Sequence, residues 1–198
     1  MNEARRRFAT ELYATSHAHD QDRPRLERFR NVEPPTAQLL GVLIRATGAL
    51  RILELGTSNG YSTIWLADAA EATGGELVSV DVDRARTELA RKSLGGLRLG
   101  DCVELRTEDA ELTLSRANDL EWDFIFLDCE RPAYPGYLPD LVRTLAVGGV
   151  LAVDNVESHA HELVEFTRLL EAEQALTQTV VPVGAGLRLA VRGAATGE

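Results

Sequence analysis

The chain has 198 residues, 44% of them apolar, and a formal net charge of −10. This length suits a single domain, and so negative a surface repels phosphates, which argues against a nucleic-acid partner. No apolar run approaches the ~20 residues that cross a bilayer, so no membrane partner is expected. Only two cysteines occur, Cys102 and Cys129, and they form no disulfide framework. We therefore expect a cytoplasmic protein acting on small molecules or proteins.

The N-terminal segment, residues 1–35, carries Pro24, Pro34 and Pro35 within a loose helical pattern. It is expected to form a helical lid on a main domain of residues 36–198, so that the chain is one structural domain overall. Acidic residues flank the arginines at positions 5–7, which predicts a solvated first helical turn without a function.

Short apolar runs rich in β-branched residues then alternate with segments of helical period. The predicted strands cover residues 51–55, 76–80, 102–107, 123–127 and 150–153. In the first helix of the main domain, Leu39, Val42, Leu43 and Ala46 share the spacing of one buried face. This alternation is typical of parallel βαβ units, and predicts a doubly wound α/β fold.

The C-terminal part follows a different pattern. Residues 177–183 and 187–192 are separated only by Gly184, Ala185 and Gly186, which is hairpin spacing. We expect this hairpin to add an antiparallel edge to the sheet.

The residues that end each predicted strand are polar or glycine. In an open parallel sheet, ligands bind beyond these carboxyl ends. The first strand runs into a turn that Gly56 and Gly60 bracket, where backbone can approach a ligand and a helix N-terminus favours an electron-rich group. The second strand ends in Asp81, in the place of a carboxylate that accepts both ribose hydroxyls.

The remaining strand ends continue this pattern. Glu108, Asp109 and Ala110 follow the third strand, where an acidic side chain can accept from an adenine amine, and Asp128 follows the fourth. Asp154 and Asn155 follow the fifth. Each alone is compatible with a helix cap or a solvated turn, but their conjunction on one sheet edge favours a ligand site.

A nicotinamide dinucleotide is disfavoured by the first turn. The GxGxxG fingerprint needs glycines at positions 56, 58 and 61, and this chain has Ser58 and Tyr61 at two of them.

Several of these motifs together resemble the catechol and caffeoyl-CoA type of O-methyltransferases that use S-adenosylmethionine. The resemblance covers residues 32–192 and rests on residues 53–62, 78–81, 123–128, 153–155 and 181–187. It implies a Rossmann-like methyltransferase fold with a mostly parallel seven-stranded sheet, and we expect a homodimer as the common default.

The resemblance also implies roles for individual residues. The methionine half of S-adenosylmethionine would lie among Glu54, Gly56, Ser58 and Ser62, with Asp128 beside the cofactor. Asp81 would hold the ribose, Asp109 and Ala110 would border the adenine, and Val32 and Gln38 would close the pocket.

A divalent-metal site is implied as well. Asp128, Asp154 and Asn155 match the three metal ligands of the family, and two carboxylates with an amide carbonyl suit Mg²⁺. Such a cation orients two vicinal oxygens and lowers the pKa of a hydroxyl, which points to a catechol-like small-molecule acceptor. Asp128, Asp154 and Arg131 are accordingly the predicted catalytic residues.

Two departures from the family pattern leave alternatives open. Arg131 stands where the family places a lysine base; a guanidinium cannot accept a proton, but it can pair with an anionic substrate or with Glu130. The segment 156–161 is shorter than the substrate loop of the caffeoyl-CoA branch, so a CoA ester is not expected. A metal-independent methyltransferase acting on oxygen or nitrogen, and a catalytically silent cofactor-binding module, remain the alternatives.

The base itself is left open by the sequence. His159 and His161, like His17 and His19, are interpreted as surface residues in preference to bases that face the cleft.

Overall fold

The computed structural model describes residues 1–194, so the last four residues of the predicted main domain lie outside the described range. The α-helices are α1 (Glu3–Gln21), α2 (Pro34–Thr47), α3 (Tyr61–Thr73), α4 (Arg84–Gly96), α5 (Ala110–Arg116), α6 (Tyr134–Thr144) and α7 (Val164–Ala172). The strands are β1 (Arg51–Leu55), β2 (Glu76–Asp81), β3 (Val103–Thr107), β4 (Trp122–Leu127), β5 (Leu145–Val153), β6 (Leu176–Val181) and β7 (Leu187–Arg192).

The strands form one seven-stranded sheet in the order β3-β2-β1-β4-β5-β7-β6. Strands β1 to β5 pair in parallel, whereas β7 runs antiparallel to both β5 and β6. The order reverses direction between β1 and β4, and this switch point is where open α/β sheets bind ligands. The predicted doubly wound sheet with a C-terminal antiparallel hairpin is confirmed.

Helices cover both faces of the sheet because the central strands are apolar on both sides. On β4, Phe124 and Phe126 join the core beneath α1, α2 and α3. Ile125 and Leu127 point the other way, into the core beneath α5, α6 and α7. The alternation along one strand therefore holds both helical layers in place.

The predicted buried face of α2 was wrong by one position. Ala37, Leu40, Gly41 and Ile44 are buried, whereas Val42 is 60% exposed. Both sets have helical spacing. The set that includes the small residues Ala37 and Gly41 is buried because it lets α2 approach α3 closely: a Cβ on Gly41 would lie 3.6 Å from the Trp65 carbonyl oxygen.

Strand β5 begins five residues earlier than predicted. Trp122 pairs with Leu145, and the register then shifts before Phe124 pairs with Val150. Gly148, with φ of 78°, sits inside this irregularity. Gly148 and Gly149 are thus part of a bulged strand.

Helix α1 packs on the helical layer and anchors the N-terminus there. The prediction of a solvated first turn was wrong for Arg5, which is buried and donates from Nη1 to Asp68 Oδ1 at 2.9 Å and from Nη2 to Glu71 Oε1 at 3.0 Å. Among residues 1–194, no helix is both long and apolar enough to span a membrane.

Candidate functional site

A cavity of about 820 Å³ lies at the carboxyl ends of the parallel strands. Each of the five parallel strands contributes to its wall, through Gly56, Asp81, Asp109, Asp128 and Asn155 in strand order. The volume falls within the ~300–1,000 Å³ typical of small-molecule sites. The convergence predicted from the strand ends is therefore present.

The turn after β1 brings its backbone against the end of β4. Gly56 has φ of 112°, and a Cβ there would lie 2.1 Å from the Asp128 carbonyl oxygen, so only glycine fits. Gly60 has φ of 88°, and a Cβ there would lie 2.9 Å from Cα of Ala90 on α4. Both glycines of the motif are thus required by close backbone packing.

Asp81 fixes this turn from the neighbouring strand. Its Oδ2 accepts from the Ser58 N–H at 2.8 Å, and its Oδ1 accepts from the Asp83 N–H at 2.9 Å. Ser58 has φ of 48°, an unfavourable value for a side-chain-bearing residue, so the Asp81 carboxylate helps to hold a strained loop. Asp81 and Ser58 both line the cavity, where the predicted ribose and methionine contacts require them.

Glu54 lies in the layer below the cavity. It is fully buried and accepts hydrogen bonds from the hydroxyls of Ser62 at 2.5 Å, Thr63 at 2.6 Å and Ser79 at 2.6 Å. Burial raises the pKa of Glu54 to about 7, although the three hydroxyls lower it. Ser62 lines the cavity and its hydroxyl donates to Glu54, so the buried carboxyl helps to fix the position of this cavity residue.

Asp109 and Ala110 stand where the adenine was predicted. Asp109 caps α5, because its side chain accepts from the Glu111 N–H at 2.8 Å, and both Asp109 and Ala110 line the cavity. The cap interpretation and the binding interpretation of Asp109 are therefore compatible.

The ends of β4 and β5 bring Asp128, Asp154 and Asn155 together. Asn155 Nδ2 donates to Asp154 Oδ2 at 2.8 Å and to Asp128 Oδ1 at 3.3 Å. Burial raises the pKa of Asp128 to about 6 and that of Asp154 to about 8, and the repulsion between the two carboxyls adds to the shift of Asp154. Asn155 has φ of 65°, so the backbone is strained at this point as well.

Arg131 occupies the cavity wall beside this acidic pair. Of the two partners left open for Arg131, an anionic substrate and Glu130, the second is not its hydrogen-bond partner: the Arg131 Nε donates to Glu162 Oε2 at 2.7 Å, and Glu130 accepts from Arg30 at 2.6 Å. Glu162 lies in a short 3-10 turn two residues before α7 and belongs to no motif, so no sequence pattern indicated this pair.

The histidines divide between cavity and surface. His159 lines the cavity, and burial and the nearby Arg131 lower its pKa, so its imidazole is neutral at pH 7. His161 and His17 are exposed, as expected. The His19 ring contacts that of Phe29, which lines the cavity, in a tilted arrangement with ring centroids 4.7 Å apart.

Residues 22–33, here called the strap, join α1 to α2 within the predicted lid. Apart from Val32, none of them was predicted as a site residue. Five consecutive strap residues line the cavity, from Arg28 to Val32, and Arg25 does so too. Val32 is therefore placed as predicted, whereas Gln38 is exposed on α2 and is not among the cavity residues. The available signal was the density of arginine, at positions 23, 25, 28 and 30, within so acidic a chain.

The sheet order, the glycine turn and the carboxylate that ends β2 define the class of this protein: a Rossmann-like methyltransferase that uses S-adenosylmethionine. A family model described as O-methyltransferase matches residues 22–193, and the chain belongs to this family.

Three relatives illustrate the likeness. A Mycolicibacterium smegmatis protein assigned to the O-methyltransferases is 29% identical over 174 residues, which cover 81% of this chain and 82% of that protein. The crystal structure of a Bacillus cereus O-methyltransferase in complex with S-adenosylhomocysteine has 27% identity and a TM-score of 0.78, covering 93% of this chain and 90% of that one. The Streptomyces achromogenes O-methyltransferase TomG, involved in tomaymycin synthesis and solved with S-adenosylmethionine, has 29% identity and a TM-score of 0.77, covering 98% and 91%.

Proposed function

We propose that this S-adenosylmethionine-dependent O-methyltransferase methylates a hydroxyl of a small, catechol-like molecule with the help of a divalent cation. The cation, Mg²⁺ by its preference for hard oxygen ligands, would be held by Asp128, Asp154 and Asn155. The methyl donor would lie between the glycine turn and Asp81, with the adenine at Asp109 and Ala110.

The observation that carries the cation proposal is an unpartnered carboxylate oxygen. Asp154 Oδ1 is buried and has no hydrogen-bond partner within the part of the chain that the structure describes. A buried acceptor without a partner costs about 1–3 kcal/mol. Asp154 is buried and incompletely satisfied, and Asp128 beside it lines the cavity. Two neighbouring carboxyls with raised pKa values are the donor set that a bound cation stabilises.

When bound, a divalent cation supplies charge that favours the ionised form of an acceptor hydroxyl. The protein's own groups supply orientation and a proton acceptor. Arg131 stays protonated, so it contributes charge and cannot serve as the base. The neutral imidazole of His159 lines the same cavity, and its Nδ1 lies 2.8 Å from Ser158 Oγ. In the tautomer whose Nδ1–H donates to that oxygen, Nε2 would accept the proton.

The first prediction concerns the metal. With catechol as acceptor, Mg²⁺ should be required for turnover, and Asp154→Ala should lower kcat/KM by at least about 100-fold because ligand loss removes the oriented oxyanion. Binding of S-adenosylhomocysteine, measured by calorimetry, should change less than about threefold, since the cofactor contacts come from other strands.

Asp119→Ala is the matched control, because this carboxylate is exposed and pairs with Arg143. Full activity in the presence of a chelator would overturn the cation proposal in favour of the metal-independent alternative. Cofactor binding without methyl transfer to any hydroxyl or amine acceptor would favour the silent module.

A further inference from the structure

The acceptor side of the cavity carries a cluster of arginines. Arg25 and Arg30 reach it from the strap, and Arg131 reaches it from the segment after β4. Two carboxylates accompany them. Arg30 and Glu130 pair at 2.6 Å, Arg131 and Glu162 pair at 2.7 Å, and Arg25 lies 3.5 Å from Glu162 and 3.9 Å from Glu130. In a chain with a net charge of −10, this is a local excess of positive charge.

The charge balance leaves one cation without a counterion. Glu162 accepts a charge-assisted hydrogen bond from Arg131, and Glu130 accepts one from Arg30. Within this cluster, three guanidinium groups share two carboxylates. Arg30 and Arg131 also attract Asp128, whose charge a bound cation would neutralise. Arg25 is the loosely held member, because its distances exceed those of a direct charge-assisted hydrogen bond.

Arg131 also has unused donors. Its side chain is only 5% exposed, yet among residues 1–194 its one hydrogen bond runs from Nε to Glu162. Both terminal nitrogens, Nη1 and Nη2, are left for another acceptor. A buried guanidinium is stabilised only when its donors are satisfied, so this arrangement favours an anionic ligand that accepts two parallel hydrogen bonds.

Arg30 is held towards the cavity at a cost in backbone strain. Its φ is 54°, and its N–H and that of Phe29 each donate to the Asp20 carboxylate at 2.8 Å. The Arg30 Nε is buried without a hydrogen-bond partner in the described part of the chain. A strained backbone that neighbouring groups hold in place, together with a buried donor that has no partner, is characteristic of a binding site.

We propose that the methyl acceptor carries a carboxylate, which binds to Arg25, Arg30 and Arg131 while the reacting hydroxyl lies at Asp128, Asp154 and Asn155. This inference rests on the proposed function. A singly charged anion matches the single excess positive charge, whereas a phosphate dianion would add repulsion with Glu130 and Glu162. The carboxylate would fix which of two hydroxyls meets the methyl group, because orientation is set at the far end of the molecule.

The second prediction tests this carboxylate site. The experiment compares protocatechuate, a catechol with a carboxylate, with its uncharged methyl ester. Calorimetry on the protein loaded with S-adenosylhomocysteine and Mg²⁺ should show that protocatechuate binds at least about tenfold more tightly. Arg25→Gln should reduce this preference to about threefold or less, and should leave the affinity for the ester and for S-adenosylhomocysteine within about twofold.

Arg23→Gln is the matched control, because it removes the same charge from the strap at a residue that does not line the cavity and pairs with Glu27 instead. It should keep the full preference. Arg131→Lys should keep the charge but lose part of the preference, because an ammonium cannot form two parallel bonds to a carboxylate.

Equal binding of acid and ester, or a preference that Arg25→Gln and Arg23→Gln reduce equally, would overturn the carboxylate proposal. Turnover assays on the same two compounds test the proposed function separately. If both are methylated without preference, the function stands and the carboxylate site fails; if the acid binds selectively but neither is methylated, the site stands and the catechol proposal fails.

Discussion

Asp81 shows how one carboxylate serves both the protein and a ligand. It lines the cavity and already accepts one backbone N–H on each oxygen, from Ser58 and from Asp83. Each carboxylate oxygen can accept a second hydrogen bond. A ribose with two adjacent hydroxyls can donate to these remaining positions. The carboxylate is thus oriented before the ligand arrives.

The third prediction follows from this arrangement. Asp81→Ala should weaken binding of S-adenosylmethionine by on the order of 2–3 kcal/mol, because charge-assisted hydrogen bonds are lost and the Ser58 N–H is freed. Calorimetry measures the affinity. Glu88→Ala is the control: this exposed carboxylate on α4 pairs with Arg91 and does not line the cavity, so the affinity should stay unchanged. An unchanged affinity in Asp81→Ala would refute the ribose assignment.

The sequence predicted such strand-end residues well because the topology of a parallel sheet brings all of them to one edge. It could not predict Arg25, Arg30 or Glu162 as partners, since no periodic pattern fixes where a loop lies. Arg5 was misjudged for a related reason: flanking acids suggest solvent, but its partners Asp68 and Glu71 lie on α3, far along the chain.

At the scale of elements, the strap is the part of the molecule that closes the cavity. Asp20, near the end of α1, fastens it through the Phe29 and Arg30 amides. On the opposite side, Ser58 Oγ donates to the Phe29 carbonyl oxygen at 2.8 Å, so the strap is tied directly to the glycine turn. Cofactor binding and strap closure should therefore be coupled.

The fourth prediction tests this coupling. Asp20→Ala should lower the affinity for S-adenosylhomocysteine about fivefold, because two backbone N–H groups lose a charged partner and the closed strap becomes less populated. Trypsin should also cleave the strap faster, at its arginines, and the ligand should protect it less. Asp22→Ala, an exposed neighbour at the end of α1, should behave like the unaltered protein. Equal cleavage rates in the two variants would show that Asp20 does not fasten the strap.

Element boundaries were the least predictable feature. The helical period of α2 fits two faces, and only the packing against α3 decides that the face with Ala37 and Gly41 is buried. Likewise, the early start of β5 depends on a register shift opposite β4, which is a property of the pair of strands and not of one sequence segment. Such choices are made by tertiary contacts.

For the whole molecule, the fold could be predicted because the alternation of strands and helices admits few topologies. The homodimer and the cytoplasmic location stay predictions. The sequence could not indicate how far the acidic groups in and beneath the cavity are removed from solvent. Their desolvation determines how the stability of the ligand-free protein depends on pH. Glu54, Asp128 and Asp154 all have raised pKa values for this reason.

The fifth prediction isolates Glu54. Its pKa rises from 4.5 to about 7 on folding, because the fully buried carboxyl is desolvated. The folded state thus binds the proton more tightly than the unfolded state, so this stabilisation is complete below pH 4.5 and is lost as the pH rises to about 7. Between about pH 5 and 7.5, the free energy of unfolding should fall by about 2–3 kcal/mol more in the unaltered protein than in Glu54→Gln.

Urea denaturation of the ligand-free proteins at the two pH values measures this difference. Asp128 and Asp154 titrate in both proteins, so most of their contribution cancels in the comparison; the repulsion between Glu54 and Asp128 is the smallest cause of the Glu54 shift. The hydroxyls of Ser62, Thr63 and Ser79 can rotate to pair with the amide. Glu76→Gln, at an exposed position that begins β2, should keep the full pH dependence of the unaltered protein. Parallel curves for Glu54→Gln and the unaltered protein would mean that the three hydroxyls compensate the buried charge completely, and that Glu54 is ionised throughout this range.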